Sequence, residues 1–228
     1  MKNLLIIGCG WVGKALKEAL EPKFEVICID KKNNNKNFKA KSVLIAIPAK
    51  GDYLKTLQSY AKLINQSSQV ILLSSTSVYL KVKGEFSEES TKLNKQSLSF
   101  RAESLIKSTF KDAVILRLGG LMGYNRICGK YTANKKINDS KVNYIHRDDV
   151  VRILQLILEQ NIKSKTYNLV APIHPKHSQI SAKNAKIFGF NATIYNSLKP
   201  LDRVILSNKV INELNYTFLK PNPLEFWN

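Results

Sequence analysis

The stretch Gly8-Cys9-Gly10-Trp11-Val12-Gly13 carries a G-x-G-x-x-G pattern. A glycine in the first place permits a tight turn, and one in the second lets the backbone come close to a diphosphate. The third lets a helix pack hard against the preceding strand. Amides at the start of such a helix point outward together, and the helix dipole makes that end attractive to phosphate oxygens. Asp30 ends the next apolar run and would accept hydrogen bonds from the hydroxyls of an adenosine ribose. The chemistry implied is the holding of a dinucleotide.

These residues must be carried by a strand, a helix and a second strand, and the chain supplies them. Residues 4–7 form a continuous apolar run, as in a parallel strand covered on both faces. Residues 14–20 have helical composition, and 25–29 read as a second strand. Residues 43–47 read as a third strand, stopped by Pro48. A helix follows at 53–64 with Leu54, Leu57, Ala61 and Ile64 on one face, then a strand at 70–73. Further on come a helix at 100–110, a strand at 113–118, a helix at 150–158 and a strand at 167–170. This alternation predicts an α/β, Rossmann-type doubly wound parallel sheet. The stretch between Asp30 and Ser42 is too short for a strand and its own helix, so the usual third element is expected to be abbreviated. The chain is read as one domain over 1–228, with residues from about 122 onward adding a small substrate-facing lobe.

The carboxylate of Asp30 would repel a ribose 2′-phosphate, which favours NAD over NADP; Lys31 and Lys32 beside it would soften that preference, so NADP stays open. Ile47, Pro48 and Ser74 fall at the carboxyl ends of strands, the edge where open α/β sheets hold ligands, and Ile47 and Pro48 would wall the adenine or ribose side.

Composition narrows the partners. The chain has 36 Lys and Arg against 17 Asp and Glu, a formal charge of +19, but the basic residues are scattered and mixed with asparagine. No basic helix interleaved with aromatics appears, so a solvated surface is read rather than a nucleic-acid interface. The apolar stretch before Gly8 is shorter than the roughly 7–15 residues of a signal core, and no run reaches the ~20 of a membrane span. Cys9, Cys28 and Cys128 are an odd count with no C-x-x-C pair and no metal spacing, which suits a reducing cytoplasm. No metal site is expected.

The strings Leu72-Leu73-Ser74-Ser75-Thr76-Ser77-Val78-Tyr79, Arg117-Leu118-Gly119-Gly120-Leu121-Met122-Gly123, Tyr144-Ile145-His146-Arg147-Asp148-Asp149-Val150 and Tyr167-Asn168-Leu169-Val170-Ala171-Pro172 occur in that order. Together they resemble the extended short-chain dehydrogenase/reductases, the NAD(P)-dependent epimerase/dehydratase superfamily, and most of all its atypical short members. The resemblance implies that Ser75 polarises a substrate oxygen and that Thr76 and Ser77 meet substrate or nicotinamide. It places Gly119, Gly120 and Leu121 against nicotinamide and substrate, and puts Tyr124, Arg126 and Tyr131 on substrate-binding loops, with Arg126 a clamp for a carboxylate or phosphate. His146 and Asp149 match a mainly structural segment. A homodimer through helices 53–64 and 100–110 is implied by the same analogy.

One departure matters. The chemistry of that superfamily rests on a Tyr-x-x-x-Lys pair, yet no tyrosine lies between Tyr79 and Tyr124. With Arg101 at the lysine place, where it would hold a cofactor hydroxyl or phosphate, Ser97 takes the tyrosine place. With Glu103 setting the register, the two places fall to Ser99 and Lys95. The expected function is an oxidoreductase or epimerase-type enzyme on a small carbonyl or sugar-like substrate. Its acid–base groups would be relocated, with Tyr79, Tyr124 and His146 the candidates and Ser75 the hydrogen-bond partner of the substrate carbonyl. The alternative is a non-catalytic NAD(H)-binding regulatory or scaffold protein.

Overall fold

The computed structural model describes residues 2–21, 23–30, 39–196 and 202–227. In chain order the elements are β1 (Lys2–Ile7), α1 (Trp11–Leu20), β2 (Phe24–Ile29), β3 (Ser42–Ile45), α2 (Tyr53–Leu63), β4 (Gln69–Ser75), β5 (Gly84–Phe86) and α3 (Leu98–Thr109). There follow β6 (Val114–Leu118), β7 (Gly120–Met122), β8 (Lys136–Ile137), β9 (Tyr144–His146), α4 (Arg147–Glu159), β10 (Thr166–Leu169), α5 (His177–Phe188), β11 (Ile194–Tyr195), β12 (Arg203–Ile205) and α6 (Asn208–Leu214).

Two compact units are formed. One comprises Met1–Val78, Lys92–Arg117 and Val151–Tyr167, the other Tyr79–Thr91, Leu118–Val150 and Asn168–Asn228. The central six-stranded sheet runs in the order β10-β6-β4-β3-β1-β2. β1 pairs in parallel with β2 on one side (Ile7 opposite Ile29) and with β3 on the other (Ile7 opposite Ile45). Among the described residues the sheet ends at β2, and the connection from β2 to β3, where the abbreviated element is expected, includes residues 31–38, which lie outside them.

Alternation along the strands divides the core. Leu5, Ile7, Ile29, Val43, Ile45, Val70, Leu72 and Ile115 pack on one face with Leu57 and Ala61 of α2 and Ala102 and Ile106 of α3. Leu4, Ile6, Leu44 and Ile71, one residue out of phase, are buried on the other face. There α1 meets Ile6 at Gly13, and α1 is tied to α4 by a hydrogen bond from Gln155 to the Ala19 carbonyl. The α/β architecture with helices on both faces of a parallel sheet is therefore the one expected.

Element ends differ where polar residues decide them. Asn3 extends β1 past its apolar run, because its side chain bonds both Lys39 O and Lys41 N at the start of β3. Ser97 starts α3 earlier than the apolar pattern suggests, its hydroxyl accepting from Phe100 N at 3.1 Å. On α2 the buried stripe is Tyr53, Leu57, Ala61 and Ile64, with Leu54 only partly covered.

A buried ion pair crosses from α3 to β6. Arg117 Nη2 donates to Glu103 Oε2 at 2.9 Å, Arg117 Nε lies 3.1 Å from Oε1, and Ser74 Oγ donates to Oε1 at 2.6 Å. Both charged residues are under 5% exposed. Removing one partner of such a pair strands a charge at a cost of about 3–5 kcal/mol, whereas replacing both by apolar groups can be nearly neutral. Urea unfolding of Arg117→Met is expected to show a loss of that size, and the added change Glu103→Leu should restore most of it. An Arg117→Met protein as stable as the wild type would contradict the pairing.

Candidate functional site

The site begins with a turn that has no room for side chains. Gly8 leaves β1 at φ +103°, and a Cβ on it would stand 2.7 Å from the carbonyl of Ala46 after β3. A Cβ on Gly13 would stand 2.6 Å from Gly8 O. Helix, turn and neighbouring strand end are thus pressed together by backbone alone. Gly10 differs. Among the described residues nothing lies within 4 Å of where its Cβ would be, so the turn presents bare backbone to open space just ahead of α1. The first turn of α1 carries no acidic residue, and Gly10 as its N-cap makes no side-chain cap.

This turn lines a cleft of about 680 Å³ together with Cys9, Asp30, Ala46, Ile47 and Pro48. The remaining wall is α2 and the loop before it, including Lys50, Tyr53, Thr56 and Tyr60. The cleft sits outside the carboxyl end of β1, between its neighbours β2 and β3, where open α/β sheets bind ligands. Gly8, Cys9, Gly10, Asp30, Ile47 and Pro48 are therefore brought together. Trp11 and Val12 occupy the first turn of α1, with Val12 buried. Lys31 and Lys32 lie outside the described residues. Backbone amides at a helix start, open space at the middle glycine and a carboxylate in the same cleft fit a dinucleotide's diphosphate and ribose. Sequence reasoning does not reach the α2 wall, although Tyr53, Thr56 and Tyr60 share one helical face. Burial and the charge of Glu103 push the Tyr53 hydroxyl up to about 12, so it stays protonated and neutral at ordinary pH.

Cys9 and Cys28 form a disulfide, with 5.6 Å between their Cα atoms. The bridge runs against the expectation, drawn from count and spacing, of cysteines suited to a reducing cytoplasm. Cys28 on β2 stands opposite Ile6 of β1, and the turn after β1, held to β2 by the bond from Gly8 N to Ile29 O, brings Cys9 to it. Cys128 is the free, buried thiol.

The serines that end β4 and follow it are held within the same unit. Ser74 is buried against Glu103, and Ser75 Oγ accepts from Ser77 N at 3.1 Å. Ser77 Oγ and Ser99 Oγ lie 2.9 Å apart, and Thr76 is buried. Ser99 and Glu103, four residues apart on α3, face β4 and β6. Arg101 projects elsewhere on the helix and lines an exposed groove with Leu54, Lys55, Gln58 and Leu105, rather than the cleft at β1.

In the other unit, the Tyr79 hydroxyl is buried and donates to Asn168 Oδ1 at 2.8 Å. Gly119 and Gly120 lie against residues 143 and 144, where side chains on them would collide with the Asn143 carbonyl and the Tyr144 ring. Leu121 pairs with Ile145 in the β7–β9 ladder. Tyr124 is half exposed at φ +52°, a conformation rare for a tyrosine. Its hydroxyl donates to Asp148 at 2.8 Å, and the Arg147 guanidinium sits 4.1 Å above its ring. Arg126 is partly buried, and its carbonyl accepts from Trp227 Nε1. His146 is buried between Tyr124 and Phe226, with Nδ1 accepting from Asp148 N at 3.3 Å. Its ring is packed between aromatics and one of its nitrogens is hydrogen-bonded to backbone. Asp149, fully buried, accepts from the Tyr216 hydroxyl and from the amides of Leu219 and Lys220. It fastens the carboxyl-terminal segment. Among the described residues no cluster could hold a metal ion, and no helix is long and apolar enough to cross a membrane.

The strand order and crossovers define a Rossmann-type α/β protein. No family model matches the chain. It is 27% identical over 271 residues to Protein YeeZ of Escherichia coli strain K12, spanning 98% of each chain. Among solved structures it is similar to the UDP-glucuronic acid 4-epimerase of Bacillus cereus in complex with NAD. The TM-score there is 0.74 and the identity 18%, over 98% of this chain and 94% of that one. It is also similar to the human epimerase family protein SDR39U1 with NADPH, at TM-score 0.74 and 15% identity, over 97% and 96% of the chains. At these identities the likeness to solved structures is one of fold.

All three histidines share one electrostatic situation. Burial is the largest influence on His146, His174 and His177, and it holds each below the ordinary value. Nearby Asp148 and Asp149 partly offset this for His146, the Val142 carbonyl for His174 and Asp139 for His177. Below about pH 6.5 the unfolded chain binds protons that the folded chain refuses, so these groups lower stability as pH falls. Glu88 and Asp149, held above their ordinary range by burial, act in the opposite direction. The expected result is that His177→Gln flattens the fall in urea midpoint between pH 7.5 and 5.5. An unchanged pH slope would contradict the assignment.

Proposed function

We propose that this chain binds a nicotinamide dinucleotide in the cleft at the end of β1, and that it is an oxidoreductase or epimerase-type enzyme acting on a small carbonyl or sugar-like substrate. The observation that carries the reading is the bare Gly8–Gly10 turn ahead of α1 with Asp30 in the same cleft. In this reading the amides at the start of α1 hold the diphosphate and Asp30 holds the adenosine ribose. Ile47 and Pro48 flank the adenine side. NAD is preferred to NADP because Asp30 repels a 2′-phosphate. When bound, the nicotinamide supplies or accepts hydride. Ser75 is assigned the role of hydrogen-bond donor to a substrate carbonyl, with Thr76 and Ser77 beside it. Tyr124 and Arg126 are further candidates for substrate binding. The fold shared with NAD- and NADPH-bound epimerase-type structures supports the reading.

The acid–base machinery is proposed to be non-standard, since no tyrosine lies between Tyr79 and Tyr124. Ser97 caps α3 and Ser99 is bonded to Ser77. Tyr79 donates to Asn168 and Tyr124 to Asp148. A phenol already committed to a buried amide is a poor proton shuttle. That observation favours a second reading, in which the chain binds NAD(H) without turnover as a regulatory or scaffold protein.

Thermal-shift measurements with NAD, NADH, NADP and NADPH test the cofactor and the role of Asp30 together. The non-phosphorylated forms are expected to stabilise more. Asp30→Ala should weaken NAD by roughly 10–100-fold, the worth of hydrogen bonds to a charged group, and erase the preference. Stabilisation by NADPH alone would overturn the assignment. Turnover separates the two readings, followed as NADH oxidation over a panel of aldehydes, ketones and nucleotide sugars. Sustained oxidation favours the enzyme, and binding without oxidation favours the second reading. If the enzyme reading holds, Ser75→Ala should slow turnover on the order of 100-fold with cofactor affinity unchanged. Equal loss of both would remove Ser75 from its role.

A further inference from the structure

The residue between the two glycines of the cofactor turn is a cysteine, and it is covalently tied to the strand that ends at Asp30. Cys9 lines the cleft, and Cys28 stands on β2 two residues before Asp30. The bridge therefore joins the two pieces of backbone that the dinucleotide reading needs in register. One is the turn that meets the diphosphate, the other the strand end that meets the ribose. Beside the bridge, a hydrogen bond from Gly8 N to Ile29 O at 2.9 Å holds the turn to β2. Gly10 itself faces open space among the described residues. A covalent tie on the middle residue of such a turn has strong leverage over its conformation.

Both sulfurs belong to half-buried residues, Cys9 on the cleft wall and Cys28 on β2, the outermost strand of the sheet among the described residues. Cys9 also precedes α1, whose positive amino end favours a sulfur carrying negative charge. Cys128 is the contrast: it is buried, and burial pushes its thiol up to about 11, which keeps it inert.

We propose that Cys9 and Cys28 are a reversible thiol–disulfide site that tunes dinucleotide affinity, the disulfide form binding more tightly. This rests on the dinucleotide reading of the cleft. The exchange partner is a low-molecular-weight thiol and its disulfide. In oxidation, the Cys9 thiolate attacks the small disulfide, forming a mixed disulfide and releasing one small thiolate. The Cys28 thiolate then attacks the Cys9 sulfur of that mixed disulfide, closing the bridge and releasing the second. Two protein thiols are oxidised, one small disulfide is reduced to two thiols, and the two protein protons pass to the released thiolates. Reduction runs the same steps backward. With the bridge closed, the turn and Asp30 are already positioned, so less ordering is required when the ligand binds.

The test uses the full chain equilibrated in glutathione redox buffers. Alkylation and intact-mass measurement count free thiols, and calorimetry with NADH reads affinity in each state. Two thiols should appear and disappear with the buffer while Cys128 stays protected in the folded protein. Reduction should weaken NADH on the order of tenfold. The double variant Cys9→Ser, Cys28→Ser, which can form neither the bridge nor a mixed disulfide in the cleft, should bind NADH with the reduced protein's affinity whatever the buffer. Equal affinities in the two states, tighter binding after reduction, or thiols that do not pair under glutathione disulfide would each overturn the proposal. Failure of both redox forms to bind any nicotinamide nucleotide, with the thiol count still switching, would instead sink the dinucleotide reading and this inference with it.

Discussion

Close approach of backbone to backbone at Gly8 is the constraint on which the candidate site depends. The turn after β1 lies against the Ala46 carbonyl at a distance no side chain could share, and Gly13 repeats the condition between α1 and the turn. Because these contacts admit no Cβ, α1 starts directly above the end of β1 and aims its first amides outward. The sheet supplies the rest. With β1 between β2 and β3, successive crossovers leave it in opposite directions, and the space above its end stays unfilled. Asp30 and residues 46–48 reach that space because their strands stop level with Ile7. One small-residue turn thus fixes where the cleft is and which strand ends can enter it.

Polar groups in the core serve position as much as they serve chemistry. Glu103, Arg117 and Ser74 form a closed set buried between α3, β4 and β6, which orients the end of β4 and so the serines that follow. In the other unit, Asp149 gathers one hydroxyl and two amides from residues 216–220, and Asn168 is bonded by Tyr79 and bonds Leu206 O. Ser74, Tyr79, Arg117, Asp149 and Asn168 all fall in the four motif strings of the sequence, but their bonds are internal. Motif residues of this kind specify a scaffold, and the scaffold accepts many chemistries.

Much of this is legible in the sequence. Continuous apolar runs identify strands buried on both faces, and the glycine spacing together with Asp30 is enough to locate the cleft. What the sequence hides follows from physics that hydrophobic period does not register. Asn3 and Ser97 move element ends through single side-chain bonds to backbone. Tyr53 displaces Leu54 on the buried face of α2 because its ring closes the cleft wall while its neighbour lies over α3. The Cys9–Cys28 bridge joins residues 19 apart, a separation that spacing rules for metals and redox motifs ignore. It depends on the turn after β1 bringing Cys9 back over β2, which no spacing rule registers. Arg101 resembles a phosphate or ribose ligand by its place in the motif, yet its phase on α3, half a turn from Ser99 and Glu103, carries it to the α2 side.

The central claim is that the bare turn ahead of α1 receives a diphosphate while Asp30 holds the adjoining ribose. Amide chemical shifts of ¹⁵N-labelled protein titrated with NAD test it residue by residue. The largest changes are expected at Cys9 through Gly13 and at Asp30, with smaller ones at Ala46 and Ile47. Unmoved signals at those residues, or a set of shifts centred elsewhere, would contradict it.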